Sequence, residues 1–387
     1  MLYILTSILT RLFHFKQLIQ ITIILLISLI LFKLIRSWVA GPFTPILPGT
    51  LKGHTIILFA SSLKSLPLQL VENLAQTGAQ VLIVLPTPIT DPTNIQIVLL
   101  LRQLNPNIFL DQCDLRSAED CLRFTQKWVT TATSTPTTPS ALPTSGTTTT
   151  TTTTTHTTLI KLHAVIFLYD LPDLDPDVRH NILISSPLIF IQTLLPYLLQ
   201  TTNPNYRQHP VRIIPIISPF HSIVPKNSNQ WIHLQAHEAR LAKTIWKTFE
   251  YSRLIKSNSN KIHESTSTLL PINILPICIG YTRDDLFKLI KFNKINKQWK
   301  NSLIKFLSCP LIYLFSKNAN ESIQIIIWVL ILKSIEIFEP GEIIQDFKSN
   351  KNQSKKEKSS DLFIDKELLN KELERNEMII RKLMNKK

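Results

Sequence analysis

Beyond residue 50 the chain alternates short unbroken apolar runs with stretches whose apolar positions recur every three or four residues. Gly53-His-Thr-Ile-Ile-Leu-Phe-Ala reads as a short buried strand. Leu66 to Thr77 follows with apolar positions at Leu66, Leu70, Leu74 and Ala75, a helical period. Gly78 ends that helix, and Ala79-Gln-Val-Leu-Ile-Val-Leu is a second strand. Strand, helix, strand over so short a stretch is the unit of a parallel sheet. The pattern then predicts a helix over Asn94–Gln103, a third strand from Ile108 to Asp114, a helix over Ala118–Trp128 and a strand over Ala164–Leu168. A long apolar helix over Asn181–Leu199, a strand over Val211–Ile217, a helix over Trp231–Leu254 and a strand over Ile272–Ile279 continue it. Alternation of this kind predicts an α/β fold, a Rossmann-type doubly wound parallel sheet with helices on both faces.

Three stretches break the rhythm. Gln17 to Phe32 holds no charge, and with Lys33 snorkelling toward headgroups the run to Ala40 is long enough to cross a bilayer. Residues 17–40 therefore read as a transmembrane anchor behind an N-terminal segment, 1–16. Trp38 stands where an interfacial aromatic belongs. A cleaved signal peptide is the rival reading, with only a weak small-residue cleavage site after Arg36. Arg11 and Lys16 precede the run and Lys33, Arg36 and Lys52 follow it, a count that leans toward a cytosolic large domain. A single-pass protein of the endoplasmic reticulum or another internal membrane is expected. Between Thr130 and Thr158 lies a threonine tract with prolines; it has little to bury and reads as a disordered surface insertion, residues 130–158. Near the end, Lys288, Lys291, Lys294, Lys297 and Lys300 alternate with Leu289, Phe292, Ile295 and Trp299. This basic and apolar stretch, 286–335, suits an anionic membrane surface or a solvated lysine-rich face. From Lys348 a charged C-terminal tail, 348–387, is expected to end in an exposed helix starting near Asp361.

Composition changes this picture in two places. The 387 residues carry a net charge of +15, which favours an acidic partner such as anionic lipid. No RNA-binding motif, zinc finger or basic zipper accompanies the charge, so no nucleic acid is expected as a partner, and much of the excess lysine reads as compositional bias. The chain has only 7 glycines against 24 prolines, a poor supply for a phosphate-binding loop. Its four cysteines, Cys113, Cys121, Cys278 and Cys309, show no metal spacing; they read as buried free thiols, and no metal is expected.

The order and spacing of these pieces resemble the short-chain dehydrogenase/reductase family over residues 51–347, and look closest to its membrane-anchored, retinol-dehydrogenase-like fungal members. LKGHTIILFASSLKSLPLQLVENLAQTGAQVLIV is similar to the family's opening strand, glycine loop, helix and second strand. Cys113-Asp114-Leu115 looks like the Asp-Leu near adenine, and Asn181 falls at the asparagine of the central helix. Arg212-Ile-Ile-Pro-Ile-Ile-Ser218 looks like the strand ending in the catalytic serine. Gly280-Tyr-Thr-Arg resembles the loop after the sixth strand, and Pro340-Gly341 the turn before the last. The resemblance implies an NAD- or NADP-dependent oxidoreductase on a lipophilic alcohol or carbonyl compound. It also implies Ser61, Ser65, Asp114 and Gly280 against the cofactor, and Ser218, Asn181 and Arg240 in catalysis.

Several positions depart from the family. The three loop glycines fall at Ser61, Ser65 and Pro67, where a proline removes an N–H that a phosphate would use. Asn-Ala-Gly after the fourth strand is replaced by Leu168-Tyr169-Asp170, and Pro86, Thr87 and Pro88 stand where a ribose reader is expected. The catalytic tyrosine aligns with Ala236 and its lysine with Arg240. Alanine has no proton to give, and an arginine is no proton-relay lysine. His237 lies about 100° around the helix from the tyrosine's position and reads as a surface histidine. These departures support a second class of function, a catalytically inactive scaffold or lipid-binding module, a pseudoenzyme that kept the fold.

Overall fold

In the computed structural model the described residues are 2–40, 47–133, 162–169, 176–200, 211–219, 239–249, 272–283, 312–314, 316–332, 344–345, 348–349 and 361–384. The chain divides into two units, residues 44–279 with 325–387, and residues 1–43 with 280–324.

The larger unit is built on a sheet whose central strands are buried along their whole length, as unbroken Val, Ile, Leu and Phe runs require. Its elements are β1 (Thr55–Ala60), α2 (Ser65–Gln76), β2 (Gln80–Leu85), α3 (Pro92–Leu104), β3 (Ile108–Gln112), α4 (Ala118–Thr133) and β4 (Leu162–Leu168). They continue with α5 (Pro176–His180), a π turn (Asn181–Ser185), α6 (Ser186–Gln200), β5 (Val211–Ile217), α7 (239–249), β6 (Ile272–Ile274) and β7 (Ile277–Cys278). After α8 (Ala319–Ile331) come β8 (Ile344–Gln345), β9 (Lys348–Ser349) and α9 (Asp361–Met384). The strand order is β3-β2-β1-β4-β5-β7-β8-β9, with β6 also on β5. Every pairing is parallel except β8 with β9. The Rossmann-type doubly wound sheet expected from the sequence is therefore present, and the order turns back on itself between β1 and β4.

One face of the sheet is cemented by aromatics. Phe59 of β1 stacks on Phe167 of β4 at 5.0 Å between ring centroids and meets Phe190 of α6 edge-on at 5.2 Å. Phe124 of α4 and Trp246 of α7 join the same buried cluster. The apolar stretch around α6 is long enough to span a bilayer by composition, yet most of it is buried in this core.

Local departures from the expected elements have physical causes. β3 stops at Gln112, two residues short of Asp114, because Asp114 turns back to accept the Arg116 N–H at 3.0 Å. The strand expected over Ile272–Ile279 is split into β6 and β7 at Pro276, which has no ladder N–H to give. The helix expected from Asn181 starts earlier, at Pro176, and widens into the π turn at Asn181 itself. The C-terminal helix, expected to be exposed, buries Leu369 in the aromatic cluster, with Leu373 packed against it. His180 and Glu372 pair across that contact at 3.3 Å. The threonine tract from residue 134, the basic run at Lys288–Lys300, Cys309 and Ala236 lie outside the described residues.

The smaller unit contains α1 (Leu2–Ala40), one continuous helix whose Thr22–Ala40 stretch has a mean hydropathy of 2.2 and no burial. Arg36 near its end reaches both carboxylate oxygens of Glu321, at 2.6 and 2.5 Å, and donates to the Ser316 carbonyl. Phe32 stacks on Tyr313, and the Arg283 guanidinium lies 4.4 Å from the same ring. Arg36, one of the cations that the sequence places just beyond the apolar run, is thus held by a carboxylate of its own chain.

Candidate functional site

In a doubly wound sheet a crevice opens where the strand order reverses, outside the carboxyl ends of the strands. Here that point lies beyond β1 and β4, which run side by side from Ile56 with Ala164 to Ala60 with Leu168.

Beyond β1 the chain turns through Ser61, Ser62, Leu63 and Lys64 into α2. Ser61 and Ser62 are half-buried, Leu63 is buried and Lys64 and Ser65 are exposed. Ser65 has φ of 46°, the one positive φ outside glycine among the described residues. Left-handed backbone costs a side chain about 1–2 kcal/mol, so the turn is imposed by the strand-to-helix geometry rather than by serine's preference. It is the conformation for which a phosphate loop ordinarily uses glycine. The first turn of α2 points N–H groups outward from Ser65 and Leu66; buried Pro67 contributes none. Lys64 supplies no side-chain cap.

Beyond β4 stands Tyr169. Its ring lines a small hollow with Ile182, Leu183, Pro215, Ile217 and Trp246. Its hydroxyl is buried and meets no hydrogen-bond partner among the described residues. Burial first, then neighbouring Cys113 and Asp114, push this phenol well above its usual pKa. It keeps its proton and can act only as a hydrogen-bond donor or acceptor. Sequence reasoning treated Tyr169 as a departure from a motif; an aromatic ending a strand otherwise looks like core.

The other expected site residues lie on several elements. Asp114, at the β3–α4 turn, is committed through one carboxylate oxygen to Arg116, with the Arg116 side chain 3.8 Å away. Beside it the Cys113 thiol, hydrogen-bonded to Cys121 and buried, is pushed upward in pKa and stays protonated. Asn181 opens the π turn, which is pinned to the β3–α4 loop by Ser186 donating 2.6 Å to the Leu115 carbonyl. Ser218 follows β5 directly and is half-buried. Arg240 is exposed on α7. Gly280 falls in the smaller unit and keeps φ of 80°; a methyl there would crowd the Lys317 side chain at 3.2 Å.

A phosphate group could meet this loop with fewer donors than a glycine loop offers. The left-handed turn, two amides and the Ser61, Ser62 and Ser65 hydroxyls can face an anion, and no carboxylate stands among them. One glycine-loop donor is missing at Pro67.

Strand order and crevice define a Rossmann-type α/β protein. No family model matches the chain, and no curated protein is similar to it. Among solved structures it is similar to a putative short-chain dehydrogenase from Pseudomonas syringae, at 11% identity and a TM-score of 0.47, over 79% of this chain and 98% of that one. A short-chain dehydrogenase from Mycobacterium smegmatis is similar at 11% identity and 0.47, over 80% and 99%. The NADPH-bound structure of a short-chain oxidoreductase from Pseudomonas aeruginosa PAO1, containing an atypical catalytic center, is similar at 15% and 0.48, over 75% and 94%. The fold assignment rests on the strand order itself.

Proposed function

We propose that this chain is a membrane-anchored protein of the short-chain dehydrogenase/reductase kind that binds NAD or NADP at the β1–β4 crevice. By resemblance, its reaction is hydride transfer to or from a lipophilic alcohol or carbonyl compound. The observation that carries the reading is Ser65, held left-handed at the turn from β1 into a helix N-terminus, at the switch point of the sheet. Ser61, Ser62 and Ser65 would hold the pyrophosphate, and Asp114 would face the adenine. The bound cofactor supplies the hydride. Ser218 would hydrogen-bond the reacting oxygen, Asn181 would position the π turn beside it, and Arg240 would serve the ribose side.

With Ala236 at the tyrosine position the usual proton donor is missing, so turnover is expected to be slow. Pro67 and Ala236 together favour a second reading, a lipid-binding or scaffolding protein without chemistry.

Titration of the full-length protein in detergent with NADH and NADPH, followed by fluorescence or calorimetry, separates the two. The first reading expects micromolar binding and slow reduction of long-chain aldehydes that Ser218→Ala lowers without weakening binding. Absence of binding at millimolar cofactor would sink it and leave the scaffold.

A further inference from the structure

We infer that the outer face of α3, with Leu47 and the β3 edge, rests on the bilayer surface beside the anchor. The inference depends on reading Thr22–Ala40 as that anchor. α3 carries Ile95, Leu99, Leu100 and Leu104 toward solvent, and Phe109 continues them on β3, the edge strand. Leu47, Leu100, Leu104 and Phe109 are between 40% and 64% exposed. Helical spacing alone would have put these leucines in the core; the core of this helix is instead Asn94, Val98 and Leu101. A soluble protein rarely leaves so many large apolar side chains together in water.

Position and charge choose the occupant. The turn from α2 to β2 holds both ends of the patch. Leu51 donates its N–H to the Thr77 carbonyl at 3.2 Å, so the chain arriving from the anchor enters the domain there. Asn105, next to Leu104, gives its side-chain amide to the Ala79 carbonyl at 2.8 Å and the Ala75 carbonyl at 3.3 Å. Residues 41–50 are all that separate the anchor from Leu51, a fully extended reach of about 35 Å. A domain tethered at this turn keeps Leu51 within that distance of the anchor's end, and Asn105 ties the end of the patch to the same turn.

Among the polar groups on the patch, which include the exposed amides of Gln96 and Gln103, the charged ones beyond the capping Asp91 are cationic. Arg102 lies 5.8 Å over the Phe109 ring and donates 2.7 Å to the Ile108 carbonyl, and Lys52 is exposed at the turn. α3 carries no carboxylate. A two-fold contact between two copies would set these cations against each other, whereas anionic headgroups complement them. Arg102 also occupies a carbonyl on the edge strand, so that a lipid surface, which offers apolar depth and headgroup oxygens, suits the face better than another strand.

Photo-crosslinking in proteoliposomes containing anionic phospholipid tests this on the full-length chain. Benzoylphenylalanine is placed at Leu104, at Phe109, where it replaces one exposed aromatic by another, and at exposed Glu119 of α4 as control. Lipid adducts are expected at 104 and 109 in roughly tenfold excess over 119, as for an interfacially seated apolar face. Protein–protein adducts of twice the chain mass at 104 and 109, or no excess over 119, would overturn the inference. Extraction in alkaline carbonate reads the anchor separately. A chain retained by the membrane but lacking lipid adducts loses only the docking; a chain released by carbonate loses the anchor and the docking with it.

Discussion

The two ends of the parallel sheet have been treated differently. At the carboxyl end, where a Rossmann-type sheet meets its ligand, the β1–α2 turn is built from serines and a proline, and the Tyr169 hydroxyl meets no hydrogen-bond partner among the described residues. At the amino end the chain has a dense polar clasp. Arg212 of β5 donates 2.6 Å to the carbonyls of both Val329 and Leu330 and also reaches Leu332, closing the C-terminus of α8. His163 of β4 meets the same Leu330 carbonyl at 3.2 Å, and His54 packs edge-on against His163 at 4.3 Å. A cation and polar rings at a helix C-terminus satisfy carbonyls that the helix cannot and complement its dipole. The difference teaches that the polar contacts closing α8 onto the sheet gather at the amino ends of the strands, away from the end where such a sheet meets a ligand.

The largest effect that would break the comparison is at the clasp. Burial holds the Arg212 guanidinium down to a pKa of about 10, so it remains charged at neutral pH while surrounded by protein. Arg212→Met takes the guanidinium away from three carbonyls at the end of α8, of which Leu330 alone keeps the His163 contact among the described residues. It is expected to lower the unfolding free energy by about 3 kcal/mol, measured by urea denaturation of the detergent-solubilised protein. Arg212→Lys should recover only part, because one ammonium cannot reproduce the guanidinium's fork. A neutral outcome for Arg212→Met would mean that the amino end is no more demanding than the other.

At the carboxyl end the expected effect is smaller and of opposite sign. Ser65→Gly places at φ of 46° the residue that tolerates it and should stabilise the protein by about 0.5–1 kcal/mol. Ser65→Val should destabilise it by more, since a β-branched side chain cannot adopt that backbone without strain. If glycine destabilises, the serine hydroxyl is making a contact that the loop needs, and the carboxyl end carries polar structure of its own.

These two sites also mark what the sequence makes legible. Unbroken apolar runs separated by helical periods are enough to locate the strands from β1 to β5, because a strand buried on both faces leaves little freedom in its composition; their order in the sheet is read from the pairing. The β1–α2 loop was equally readable, since Ser61, Ser65 and Pro67 stand at spacings fixed by the strand and the helix. Arg212 was not: a lone basic residue in an apolar strand finds its acceptors 117 or more residues away, and no local pattern signals them. Tyr169 was hidden for a related reason, because burial of its ring looks the same from sequence whether or not its hydroxyl faces a hollow. The C-terminal helix was read as exposed because Leu369 and Leu373 are scattered among charges, while the faces of α4 and α6 that receive them lie far back in the chain.

The smallest effect concerns that helix and is read by acid titration. His180 at the end of α5 hydrogen-bonds Glu372 and, with some help from Arg375, holds its carboxyl below the ordinary glutamate range against the opposing effect of burial. A carboxyl whose folded pKa is depressed contributes stability that is present above the unfolded value and is lost as pH falls through the folded one. Stability should therefore step down below the ordinary glutamate range, by no more than about 1 kcal/mol for a partly solvated pair. Glu372→Gln should remove that step while leaving the rest of the acid limb in place, followed by urea midpoints at successive pH values. If the step survives in Glu372→Gln, another carboxylate carries it, and the His180–Glu372 pair adds little to the apolar contacts of Leu369 and Leu373. Such a result would draw the comparison more sharply, because the polar interactions that matter to the fold would then be confined to the amino end of the sheet.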